Sequence, residues 1–458
     1  MPGPRRIAAV AAARLSRAAV RVIARRGGSA LPGLVAATID PDLLYALIGD
    51  LGGGTVLVSG TNGKTTVTGL VAEIARASDD PVVSNPSGSN LARGLLSHLL
   101  ERVDLRGRAR WRRDSLGVLE LDEAQLIASL VRIGPRAVVL TNLFRDQLDR
   151  YGELDALGRG FAASLADCEP RPVLVLNRDD PVLAHIAESY RGRVVGFGLD
   201  VSDSSAEPDE WADSTLCPEC LGPLHYSGVA YSHLGRFQCP DCGFAHRSPE
   251  ISGKVLRADL SGISLECRVN GGSVTINSSL PGTFNAYNLL AGLAAAHALG
   301  YPVESSAAVI AAVGPRFGRA ERVELDGVEV TLLLMKNPTG ANELVRTLPK
   351  ENYDLLLLLN DRPADGEDVS WIWDVNFSEM GPRQLVTGGS RAADMALRLK
   401  YAGHQAAAVA EGPVENALRA ALELGGQRLL VLSTYTAMLE LRRWLLRSGA
   451  VDQHWQAR

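Results

Sequence analysis

Thr55-Val-Leu-Val-Ser59-Gly60-Thr61-Asn62-Gly63-Lys64-Thr65-Thr66 is the stretch that sets the fold class. Its first five residues form a β-branched run after Gly52-Gly53-Gly54, which predicts a short buried strand. A glycine loop follows, and a helix is expected from about Val67 to Arg76. Strand, glycine loop and helix in that order build a phosphate-binding corner. Glycines let backbone N–H groups face phosphate oxygens, and the helix adds its positive end. Lys64 is placed to reach the β- and γ-phosphates, and the Thr65 hydroxyl to ligate Mg²⁺. The spacing from Gly60 to Gly63 is shorter than in the common G-x-x-x-x-G-K loop. Only five of the 47 basic residues are lysines, so arginine is this chain's default cation and a lysine here needs a reason.

Outward from the loop, Leu116–Leu121, Ala137–Thr141 and Val173–Asn177 read as further strands with helical patterns between them. That alternation implies a parallel α/β sheet. Glu120, Asp122 and Glu123 close the 116–121 strand, where ligand groups gather in such sheets, and a carboxylate there can hold Mg²⁺. Asn142 and Arg145–Arg150 occupy the same place after the next strand, a weaker signal.

Cys217-x2-Cys220 and Cys239-x2-Cys242 stand eighteen residues apart. Four thiolates at this spacing predict a structural Zn²⁺ ribbon over about 215–247, with no open position for catalysis. The nearby His225, His233 and His246 read as bystanders, and Cys168 and Cys267 as small core residues. Paired cysteines of this kind point to metal binding in a reducing cytoplasm rather than a disulfide framework. Residues 200–214, acidic and serine-rich, read as a linker.

A second α/β block is expected from Gly318. Its strands lie near 328–335, 354–360, 384–387, 406–409 and 428–432, and its helices near 339–348, 390–402, 413–424 and 434–447. The net charge of −5 and the lack of an evident basic, aromatic-bearing surface argue against nucleic-acid binding. No apolar run is long enough to span a bilayer. The amino terminus differs from the rest: seven arginines from Arg5 to Arg26 punctuate an Ala/Val/Ile-rich stretch. It reads as a basic amphipathic helix, either lying on an anionic membrane surface or packing on its own domain.

Together these pieces resemble the Mur ligases, ATP-dependent amide-forming enzymes. Gly60–Thr66 matches the family's GTNGKT loop, and Glu120 its magnesium-site glutamate. Thr141-Asn142 and Leu148–Gly152 resemble its TN…DHLDRYG segment, with Gln147 in place of histidine. Asn177-Arg178-Asp179-Asp180 matches its N-x-D-D element, and Gly282–Asn288 its G-x-x-N-x-x-N helix start. Gly318-Arg319-Ala320-Glu321 matches its G-R-x-E hinge, and Lys336-Asn337-Pro338 stands where D-x-A-H-N-P is usual. The resemblance implies that Gly60, Thr61, Asn62, Gly63, Lys64, Thr65 and Thr66 hold ATP. It further implies that Asn285 approaches the adenine, that Arg319 reaches the phosphates, and that Thr65 and Glu120 hold Mg²⁺. The implied architecture is a central P-loop ATPase domain at 51–317 carrying the four-cysteine zinc ribbon, and a Rossmann-like α/β domain at 318–458. Residues 1–50 form a basic helical segment before them.

Two departures narrow the subgroup. Fifty residues before the loop are too few for a UDP-binding domain, and no lysine lies between Lys64 and Lys254 to serve as a carbamylated metal bridge. Those features, the ribbon and Asn360-Asp-Arg-Pro-Ala-Asp365-Gly-Glu-Asp368-Val-Ser-Trp-Ile-Trp-Asp374 resemble the Mur ligases that amidate lipid II with a glutaminase subunit. The resemblance implies a heterodimer, a lipid II substrate at the membrane surface, and a carboxylate lent to the glutaminase. Asp368 is the candidate for that carboxylate. Asp374 lies between apolar neighbours and Asp365 precedes a glycine turn. An amino-acid-adding ligase and a zinc-ribbon NTPase on nucleic acid are the other readings.

Overall fold

The computed structural model describes residues 2–23, 30–85, 90–144, 153–201, 213–314 and 319–451, without the side chains of 19–23, 153 and 319. The expected Arg145–Gly152 segment, most of the 200–214 linker and the Arg319 side chain lie outside the described residues.

Thr55–Ser59 is a fully buried interior strand of a nine-stranded sheet, third from one edge. It lies between Leu116–Glu120 and Ala137–Leu140, and all three run parallel. Val82–Ser84 closes one edge beside Leu116–Glu120. On the other side Val173–Asn177, Val194–Leu199 and Ile251–Asp259 continue the parallel run. Gly262–Val269 and Gly272–Ser278 then add an antiparallel meander. The chain leaves Thr55–Ser59 toward one edge and later returns on its other side. The loop after Ser59 therefore sits at a topological switch point, where open α/β sheets bind ligands.

Alternation along Thr55–Ser59 separates two cores. Val56 and Val58 face the helices Lys64–Ala77 and Thr283–Leu299, while Leu57 faces the amino-terminal helices. Thr283–Leu299 is buried on nearly every side, which explains its alanine-rich sequence. Small side chains let it lie against the sheet and Leu70 together. On the opposite face, the helix Pro4–Ile23 packs through Ala9, Val10 and Ala13 beside Leu31–Ile39 and Leu43–Gly49. So small an apolar stripe buries little area, and polar ties add to it: Arg5 donates to the Ile39 carbonyl at 2.7 Å and Arg6 pairs with Asp50 at 2.6 Å. Among the described residues no single helix is long and apolar enough to cross a membrane.

The second sheet has six strands in the order Arg319–Leu325, Val328–Leu334, Arg428–Ser433, Asp354–Leu358, Gln384–Gly389 and Ala408–Glu411. Only the first runs antiparallel to its neighbour, and that strand was not expected from the sequence. The leucine run at 355–359 is buried throughout, odd positions in one core and even positions in the other.

Candidate active site

The chain leaves Ser59 through Gly60 at φ +121° and enters the next helix through Gly63 at φ +87°. Both are left-handed backbones that cost a β-carbon-bearing residue strain. Space forbids one as well. A β-carbon at Gly60 would lie 2.3 Å from the Thr141 hydroxyl, and at Gly63 1.9 Å from Asn288 Oδ1. Thr141-Asn142, a weak signal in the sequence, proves to be the loop's scaffold. Thr61 N donates to the Asn142 carbonyl and Asn62 N to Asn142 Oδ1, both at 2.9 Å. The Thr141 hydroxyl donates to the Asn62 carbonyl at 2.7 Å. Thr61 Oγ1 donates to the Phe144 carbonyl and accepts from Phe144 N. The loop is thus held in shape by protein, which leaves its outer N–H groups for an anion.

The three acids at the end of the neighbouring strand take three different places. Asp122 caps the helix Glu123–Ile133, accepting from Ala124 N. Burial, and then the charge of Glu123, push its carboxyl above the usual range. Glu123 pairs with Lys64 at 3.2 Å, and the Lys64 ammonium also donates to the Gly60 carbonyl at 2.5 Å. Glu120 is 4% exposed and its Oε2 has no hydrogen-bond partner. Its backbone is clamped by Asn85, which accepts from Glu120 N at 2.8 Å and donates to its carbonyl at 3.0 Å. A buried carboxylate oxygen without a donor is costly, and a hard cation relieves that cost. The residues present therefore fit a Mg²⁺ ion beside the loop. Asn85 gave no sequence signal, because its pairing with Glu120 depends on two strands meeting side by side.

A cleft of about 640 Å³ opens over the loop between the two sheets. Thr61, Asn62, Gly63, Lys64, Thr65, Thr66 and Glu120 line one wall, and Gly60 lies behind it. Lys336, Asn337 and Tyr435 line the facing wall. Asn337 Nδ2 donates to Asn62 Oδ1 at 3.1 Å, joining the carboxy-terminal domain to the loop. Asn285 is placed differently from the expectation. It is fully buried, donating to the Pro281 carbonyl at 2.6 Å and accepting from Asn288 at 2.9 Å. Asn288 lines the cleft, with Asn285 orienting it from behind.

The four ribbon cysteines converge. Their sulfurs all lie within 4.8 Å of one another, with Cys217 and Cys242 at 3.6 Å and Cys220 and Cys239 at 3.5 Å. A tetrahedron of thiolates about 2.3 Å from one Zn²⁺ has edges of roughly 3.8 Å, so the donor set and its size suit that ion. Each knuckle turns on a left-handed residue after its second cysteine, Leu221 and Gly243. The histidines are not ligands, yet bystander undersells them. His246 meets Asp179 at 2.9 Å, and Tyr287 donates to the other oxygen of that carboxylate at 2.8 Å. His233 is fully buried, its ring 4.8 Å from that of Phe144. Between them the ribbon hairpin His225–Tyr231/Leu234–Gln238 brings Tyr231 to the cleft wall.

The Mur ligase middle domain matches residues 58–215, and the MurT ligase C-terminal domain matches 334–438. The lipid II isoglutaminyl synthase (glutamine-hydrolyzing) subunit MurT of Streptococcus pneumoniae is 32% identical over 433 residues. That alignment covers 93% of this chain and 94% of the relative. The chain belongs to the MurT family. The Staphylococcus aureus MurT subunit is 28% identical over 446 residues, covering 96% of this chain and 98% of its own length. Among solved structures, MurF from Acinetobacter baumannii shares the fold with a TM-score of 0.63 at 15% identity, covering 90% of this chain and 80% of its own. A pseudomurein peptide ligase type C from Methanothermus fervidus also gives 0.63, at 17% identity, covering 86% and 79%. Mur ligases use ATP and Mg²⁺, in keeping with the loop and the orphaned Glu120 oxygen.

Within the MurT-type carboxy-terminal domain, the acids of 361–374 separate by partner. Asp365 is held by Thr436, accepting from its backbone N–H at 2.7 Å and from its hydroxyl. Asp374 is half-buried and its carbonyl accepts from Asn342. Asp368 is exposed and accepts from Ser370 N at 2.8 Å. Hydrogen bonds from the Ser370 side chain and backbone hold its carboxyl below the usual range, so it is charged at neutral pH. Asp368 is outside the ATP cleft.

Proposed function

We propose that this MurT-family chain is the ligase subunit of a lipid II isoglutaminyl synthase, working with a GatD-like glutaminase as a heterodimer. The observation that carries this reading is the likeness, over nearly the whole of both chains, to the streptococcal MurT subunit. In this reading the α-carboxylate of the stem-peptide D-glutamate attacks the γ-phosphorus of ATP, and ADP leaves. Ammonia from the partner then attacks the acyl carbon, phosphate departs, the nitrogen loses a proton, and D-isoglutamine remains. A carboxylate is a poor acyl donor until phosphorylated, which is why a phosphate loop serves an amide-forming ligase. Lys64, with Arg319 as a second cation, would face the transferring phosphoryl group, and Asn288 would stand where Asn285 was expected. Bound at Thr65 and Glu120, Mg²⁺ would offset the phosphoryl charge. We assign residues 1–50, 51–317 and 318–458 to a basic helical segment, an ATP-binding domain and a carboxy-terminal domain. We place the protein in the cytoplasm, at the inner face of the membrane, with no role on nucleic acid.

The test is an assay of the purified pair with lipid II, ATP and glutamine, read by product mass and phosphate release. The expected result is amidated lipid II with glutamine or ammonia, and none with free amino acids. The chain alone should not hydrolyse glutamine, for it has no credible glutaminase nucleophile. Amino-acid addition, or phosphate release driven by nucleic acid instead, would replace this reading.

For the ribbon we propose one Zn²⁺ per chain on Cys217, Cys220, Cys239 and Cys242. Cys217 is fully buried in a small core with Leu224, Phe237 and Ala184. Cys217→Ser should therefore lose the metal and lower the melting temperature before it touches chemistry. Elemental analysis of protein purified without chelator, together with thermal melts, checks both; a zinc-free wild type would sink the assignment.

A further inference from the structure

One basic surface escapes a linear reading because its two halves are far apart along the chain. Residues 4–18 and 101–114 together hold ten arginines against three acids, in a chain of net charge −5. The fold sets the helix of the first segment against the second. Val103 and Ala109 bridge to form a small hairpin, and the amino-terminal helix lies along it. Arg14 donates to the Val103 carbonyl, Arg17 pairs with Glu101, and Gly107 packs against Pro2, Arg6 and Ile7. Arg102, Arg106, Arg108, Arg110, Arg112 and Arg113 are all exposed. The acids among them are already engaged: Glu101 with Arg17, Asp114 with Arg112 at 2.6 Å, and Asp104 with the backbone N–H groups of Arg106 and Arg108. Between the arginines stand apolar side chains in water, Leu15 at 72% and Leu105 at 59% exposure.

We propose that this face docks on the anionic inner surface of the membrane, arginines among the headgroups and Leu15 and Leu105 inserted below them. Basic side chains interleaved with exposed leucines are the mark of an interfacial surface rather than of a nucleic-acid groove. The proposal rests on the amidation reading for its purpose, since a lipid-anchored substrate never leaves the membrane. Geometry joins the two. Arg102 belongs to this face and also lines the ATP cleft, together with His98 from the preceding helix. Docked this way, the cleft mouth lies beside the bilayer, where the headgroup of the substrate stands.

The test is sedimentation of the full chain with vesicles of equal parts phosphatidylglycerol and phosphatidylcholine. Binding is expected there, weakening as salt is raised, and not with phosphatidylcholine alone. The triple variant R106E/R108E/R110E should bind at least ~100-fold more weakly. Leu15→Ser with Leu105→Ser, which keeps every arginine, should lose roughly tenfold while the salt dependence persists. In complex with the glutaminase, the triple variant should amidate a soluble lipid-free stem peptide like wild type but fail on lipid II in vesicles. A wild type that ignores anionic vesicles, a triple variant that binds as well as wild type, or tighter binding to duplex RNA than to these vesicles overturns the proposal. If vesicle binding behaves as expected while neither substrate is amidated, the docking face stands and the reaction assignment fails.

Discussion

Lys64→Ala should lower amidation by about 10³-fold at saturating ATP while leaving the heterodimer intact. The lysine is the sole side-chain cation of the Gly60–Thr66 loop, and its ammonium already sits at the cleft wall, 2.5 Å from the Gly60 carbonyl and 3.2 Å from Glu123. Those contacts position it without ATP, so little rearrangement is needed when phosphates arrive. Lys64→Arg separates this role from generic charge. A guanidinium is planar and longer, and does not fit a site built round one ammonium, so this variant should also lose most activity. Steady-state amidation with lipid II, and size-exclusion chromatography with the partner, check both halves. Near-normal turnover by the Lys64→Arg enzyme would mean that charge alone is enough there.

Asp368→Asn should remove glutamine-driven amidation by roughly 10³-fold or more, yet leave ammonia-driven amidation largely in place. A Cys–His glutaminase needs a carboxylate to orient its histidine and stabilise the imidazolium. Asp368 suits that service because its bond from Ser370 N leaves an exposed carboxylate to face a partner. Nearby Trp373, 44% exposed against Tyr401, offers an aromatic anchor for the same partner. Asp365→Asn should instead act on stability, since its two bonds to Thr436 tie the segment to the helix Tyr435–Arg447. Parallel assays with glutamine and with ammonium chloride decide the matter. Normal glutamine use by Asp368→Asn, with its loss in Asp365→Asn or Asp374→Asn, would move the role within the segment.

The strand, the glycine loop, the parallel sheets and the cysteine ribbon were legible in the sequence because each rests on local physics. Positive-φ glycines, β-branched runs and the Cys-x2-Cys reach act over a few residues and need no knowledge of the rest of the chain. Most elements of the carboxy-terminal block lie within a residue or two of their expected bounds for the same reason. The contacts within the site were decided only by tertiary structure. Glu120, Asp122 and Glu123 have the same chemistry within four residues. Which one keeps an unpartnered oxygen depends on Asn85 and Lys64 arriving from other elements. Asn285 and Asn288 are one helical turn apart, and their order at the cleft depends on which faces the loop at Gly63. The basic face is the same case on a larger scale. Charges more than seventy residues apart add into one field only when the fold sets the amino-terminal helix against the 101–114 hairpin, because Coulomb energy follows distance in space and not along the chain.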